Sequence, residues 1–141
     1  MSMYTGIRIN VTVKEQYREL IKDINEGAEW EDYAQQFPFL ASYAEKPRSF
    51  FIPNGDLSYM PDSWETEQNL PASNFTTKID MQTGQWTFQC SLNNANQEIE
   101  QFFDNVLATI ISDSEHIEYF HETWDASNYY MFDEGKIVLI K

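Results

Sequence analysis

The chain of 141 residues has a single cysteine, Cys90, so an internal disulfide and a multi-cysteine zinc site are both excluded. Its five glycines form neither a Gly-x-Ser-x-Gly elbow nor a Walker-type loop, which removes the common nucleophile turn and the common phosphate cradle. Apolar runs are short and none approaches membrane-spanning length. The opening MSMYTGIRINV lacks a basic flank followed by a long apolar segment, and the expectation is a cytoplasmic protein. Asn10-Val11-Thr12 and Asn74-Phe75-Thr76 match glycosylation triplets, which that location makes coincidental.

Positive charge is the scarcest resource. Nine Lys and Arg stand against 23 Asp and Glu, a formal charge of −14. Between Lys78 and Lys136 there is no cation at all, while Asp80, Glu98, Glu100, Asp104, Asp113, Glu115, Glu118, Glu122, Asp125, Asp133 and Glu134 give that stretch −11. Phosphate contacts need Lys and Arg, so nucleic acid and anionic membrane are poor partners, and a basic protein is the expected one.

What is present is enough to fold. Hydrophobic residues make up 42% and aromatics 16%, well above a disordered acidic tail, so the charge sits on one globular domain spanning 1–141. Residues 6–13 alternate with Ile7, Ile9, Val11 and Val13 on one side, the period of a half-buried strand. Thr12 and Glu15 resemble a capping box, and Tyr17, Leu20, Ile21 and Ile24 predict a helix that stops near Gly27. A shorter helical region is expected over 28–45, broken at Pro38, and an ordered loop over 53–72.

Residues 75–81 and 85–92 read as a hairpin about Gln82-Thr83-Gly84. Ile99, Phe102, Phe103, Val106, Leu107, Ile110 and Ile111 form a helical apolar stripe in a second long helix. Strands at 117–124, 129–132 and 137–140 complete the pattern, with a tight turn at Asp133-Glu134-Gly135-Lys136. The fold class is α+β: an antiparallel or mixed sheet of five or six strands with two long helices on one face.

Candidate chemistry is thin. His116 and His121, five residues apart, fall on opposite faces of a strand and cannot converge on one metal. Cys90 is in phase with Trp86, Phe88 and Leu92 and reads as a core thiol. No cofactor and no catalytic residue is assigned. Carboxylates are so numerous that some pair will lie close by chance, which leaves a small carboxylate-dependent hydrolase as a remote alternative.

Glu118, Phe120, Glu122 and Trp124 share one face by alternation, and Asp125, Tyr129, Tyr130, Asp133 and Glu134 follow. Interleaved acids and rings suit an interface to a basic protein, rings as anchors and acids for steering. The competing reading makes Phe120 and Trp124 core residues with the glutamates at exposed strand ends. The partner-binding set is therefore Glu118, Glu122, Trp124, Asp125, Tyr129, Tyr130, Asp133 and Glu134.

The segments His116–Trp124 and Tyr129–Ile137, with the preceding 86–92 strand and 96–112 helix, resemble the C-terminal part of small bacterial immunity proteins of polymorphic and contact-dependent toxin systems. That resemblance covers about the last 55 residues. It implies a single-domain cytoplasmic protein that binds and blocks a cognate toxin, frequently a nuclease. The alternative is a regulatory or adaptor domain, with homodimerisation through a strand edge.

Overall fold

The structure, a computed structural model, describes residues 4–55, 57, 60 and 72–140. Six strands form one antiparallel sheet: β1 (Tyr4–Val13), β2 (Lys78–Ile79), β3 (Gln85–Asn93), β4 (Ile111–His121), β5 (Asn128–Asp133) and β6 (Lys136–Leu139). Their spatial order is β2-β3-β1-β4-β5-β6, so β1 is central and β2 and β6 are the edges. The fold is α+β.

The alternation of β1 sets the two layers. Ile7, Ile9, Val11 and Val13 are fully buried on the side covered by helices, where they meet Trp86, Phe88, Cys90 and Leu92 of β3 and Ile117 of β4. Leu20, Ile21 and Ile24 of the helix Arg18–Asn25 close one half of this core. The helical stripe closes the other half with Ile99, Phe102, Phe103, Val106, Leu107 and Ile110. Burial of Cys90 pushes its thiol well above the ordinary range, as expected for a small core side chain.

Local outcomes depart from the sequence expectation at several points. Thr12 and Glu15 form no capping box: Thr12 stays in β1, and a 3₁₀ turn Glu15–Tyr17 precedes the helix with Lys14 at its start and no side-chain cap. A capping box does form at Glu29 and Asp32, opening the short turn Trp30–Tyr33. The second long helix covers 98–110 and passes through a π-helical stretch at Phe102–Leu107. Ile111, read as the last residue of its stripe, instead begins β4; an Ile fits both periods, and here Ile110 O accepts from Lys14 N at 2.8 Å where the chain turns into the strand.

The hairpin is shorter on its first side than expected. β2 has two residues, while Phe75 lies in a 3₁₀ turn Ala72–Phe75 beneath the sheet. Residues 53–72 are largely outside the described residues, apart from a helical turn Phe51–Asn54 that runs into them. Arg18 organises the 80–84 turn: its Nε donates to Val13 O (3.0 Å) and its Nη atoms to Gln82 O (2.9 Å) and Thr83 O (3.2 Å). At the other hairpin, Glu134 and Gly135 have φ of 49° and 81°, the two left-handed residues that a tight β5–β6 turn requires.

Candidate interaction surfaces

Even-numbered residues of β1 face away from the helices, and this second face is also covered. Arg8 and Glu118, cross-strand partners on β1 and β4, are both 0% exposed. Arg8 Nη1 lies 3.6 Å from Glu118 Oε2, and Arg8 Nε donates to Gln89 Oε1 at 3.2 Å. Glu118 Oε1 is 2.8 Å from His116 Nε2, and its Oε2 accepts from the buried Ser127 hydroxyl. Phe75 lies over the guanidinium at 5.8 Å and stacks near His116 at 5.1 Å. Hydrogen bonds from Gln89, His116 and Ser127 offset part of the cost of burying this ion pair.

Glu118 is therefore a correction to the sequence reading: it is interior and cannot meet a partner's surface. Phe120, 1% exposed, packs with Met60, Tyr4 and Leu57 on the same covered face, as the core reading of that ring required. Half-buried Glu122 accepts from Tyr4 N through Oε1 at 2.6 Å and its backbone N donates to Tyr4 O, which ties the end of β4 to the start of β1. β4 ends at His121, so Glu118, Phe120, Glu122 and Trp124 do not form one continuous strand face.

Trp124 turns to the helix side instead. Its ring, 38% exposed, lies 5.6 Å from Tyr119 and 5.9 Å from His121. Tyr119 in turn neighbours Tyr130 (6.3 Å), which packs edge-on against Phe103 (5.2 Å). The Tyr119 hydroxyl donates to Glu100 Oε2 at 2.8 Å, and Asn94 Nδ2 donates to Glu100 Oε1 at 2.7 Å. Burial and the adjacent Glu100 carboxylate raise the Tyr119 hydroxyl far above its ordinary value, and burial with Glu100 and Asp104 raises Tyr130.

The eight residues assigned to one surface thus divide among several places. Trp124 and Tyr130 both lie on the helix side, each beside Tyr119. Tyr129 lies on the opposite face, 5.7 Å from His116, and Glu118 lies beneath that face. Asp133 and Glu134 are exposed at the β5–β6 turn, and Asp125 is exposed next to Trp124 in the chain. Phe132 N donates to Ser114 Oγ at 2.9 Å, which places the acidic turn at the same end of the sheet as exposed Asp113.

No sequence spacing joins Glu100, Tyr119 and Asn94. Tyr119 was legible as a strand ring, but its partner Glu100 lies 19 residues away on a helix, and only packing joins them. Beside His116 the covered face opens into a depression of about 360 Å³ lined by Asn10, Lys78, Thr87 and Glu115 among others. Among the described residues no cluster of His, Cys, Asp and Glu is arranged to hold a metal, and no helix is long and apolar enough to cross a membrane. Comparison of the chain with protein-family models, curated proteins and solved structures gives no match.

Proposed function

We propose that the protein is a non-catalytic binding protein that neutralises a basic partner, in the manner of a bacterial immunity protein that occludes the substrate site of a cationic toxin such as a nuclease. The observation that carries this reading is the imbalance of exposed charge. In the stretch 79–135, Asp80, Asp104, Asp113, Glu115, Asp125, Asp133 and Glu134 are exposed, and no Lys or Arg lies among them to offset them.

The cations elsewhere offset this excess only in part. Arg8 is buried with Glu118, Lys22 pairs with Glu26 at 3.1 Å, Arg18 holds carbonyls of the 80–84 turn beside Asp80, and exposed Lys136 sits opposite Asp133. A solvated surface ordinarily mixes both signs, and an excess of one sign repels itself unless opposite charge meets it. Trp124 adds a half-exposed ring next to Asp125 for anchoring, while the acids supply steering.

The experiment is a pull-down from extract of the native cell at low and high salt, with bound proteins identified by mass spectrometry and the captured protein assayed for activity. A basic protein held near stoichiometrically at low salt, released by high salt and inhibited when bound, is the expected outcome. Capture of a protein whose activity is unaffected would replace inhibition with an adaptor role, and no specific capture at either salt would remove the reading.

A further inference from the structure

The register of β6 fixes which of its backbone groups face outward. Ile140 N donates to Tyr129 O at 2.8 Å, so residues 129 and 140 are a hydrogen-bonded pair. By antiparallel alternation Met131–Val138 and Asp133–Lys136 are the next such pairs, and the N–H and C=O groups of Ile137 and Leu139 point away from β5. β6 ends the sheet, so among the described residues no strand takes up these four groups. The opposite edge, β2, is two residues long and offers far less.

The side chains along this edge are apolar and open: Leu139 is 57% exposed, Ile140 58% and Met131 41%. Exposed edges are ordinarily blunted by charge, proline or a bulge. β6 has no proline and pairs with β5 without a register shift, and its one charged residue, Lys136, sits opposite Asp133. The edge is thus a preformed template for another strand.

Charge selects the occupant. Exposed Asp133 and Glu134 form the turn at one end of β6, with Asp113 at the same end of the sheet. A second copy would bring this acidic end against another body of charge −14, which like-charge repulsion opposes. A cationic segment gains from the same groups.

We infer that β6 is the docking edge for an extended segment of a basic protein, in which Lys or Arg alternates with apolar residues, and that this segment adds a seventh strand to the sheet. The inference rests on the partner-binding reading and specifies its geometry. Main-chain bonds to Ile137 and Leu139 supply the pairing, Leu139 and Ile137 on one face take the apolar side chains, and Asp133 on the other face takes the cations with Glu134.

The test uses a synthetic ten-residue peptide of alternating Lys and Val, with a Glu–Val peptide as control, and residue-resolved amide exchange on the whole chain. The expected result is slowed exchange at Ile137 and Leu139 with the Lys–Val peptide alone. Leu139→Pro removes an outward N–H without touching the β5 ladder, and should weaken binding at least tenfold. Leu139→Lys keeps the amide, adds an opposing charge at an exposed site and should weaken binding in the same direction, so the test survives a folding defect in the proline variant.

Absence of Lys–Val binding, equal binding of Glu–Val, protection elsewhere, or affinity unchanged in both variants would each overturn the inference. So would concentration-dependent protection of Ile137 and Leu139 in the free protein, which would assign the edge to a second copy. The same variants in the pull-down separate the two readings: a basic protein captured equally by wild type and variants keeps the function and removes the edge. Peptide docking at Ile137 and Leu139 without any captured partner keeps the edge and removes the function.

Discussion

At the scale of the residue, Arg8 and Glu118 govern the covered face of the sheet. Replacing Arg8 by Met leaves a fully buried carboxylate without its cation, a change that typically costs about 3–5 kcal/mol. Urea unfolding should show Arg8→Met with a lower midpoint and an unchanged slope, and Arg8→Met/Glu118→Met recovering part of the loss. Recovery is partial because Ser127 and His116 also lose their acceptor. An Arg8→Met midpoint equal to wild type would mean that the pair contributes nothing. The pair was not legible in the sequence. Alternation places Arg8 on the face opposite Ile7 and Ile9, which is correct, but nothing in that period says that the face is covered rather than wet. Glu118 was misjudged for the same reason. Cys90 was read correctly because its neighbours in phase, Trp86, Phe88 and Leu92, already declare a core.

At the scale of the element, the 80–84 turn shows how one glycine holds three pieces together. Gly84 has φ of 84°, its N donates to Asp80 O (2.7 Å) and its O accepts from Val13 N (2.7 Å). A Cβ there would sit 2.3 Å from Val13 O, a backbone atom that cannot swing aside. Gly84→Ala should therefore lose about 1–3 kcal/mol in thermal or urea unfolding, and an unchanged midpoint would show that the turn relaxes freely. The Asp80 carboxylate, bonded by the backbone N–H groups of Thr83 and Gln82, is held below the usual range in the same turn. Elements with long, pure periods were legible: β1, the 85–92 strand and the 98–110 stripe. Elements decided by tertiary contacts were not. The π-helical stretch at Phe102–Leu107 and the 3₁₀ turns of residues 30–40 leave no distinct period, and the Thr12–Glu15 capping pattern lost to the strand that Thr12 completes.

At the scale of the whole molecule, a charge of −14 works against the compact state. Raising NaCl from 0.02 M to 0.5 M shortens the screening length to a few ångströms and should raise the unfolding temperature by about 3–5 °C, equivalent to a gain on the order of 1 kcal/mol. A fall in unfolding temperature with salt would mean that internal ion pairs outweigh the self-repulsion of the acidic surface. The acidity itself was plain in the sequence, whereas its division between a helix-side ring cluster, a covered ion pair and a free turn depends on which residues the sheet brings together. The central position of β1 has a consequence in time. Thr12 pairs with Gln85 and Thr5 with His121, so both neighbours of β1 are made some seventy or more residues after it. On the ribosome β1 must wait, apolar and unpaired, until β3 and then β4 emerge, and the sheet can close only late in synthesis.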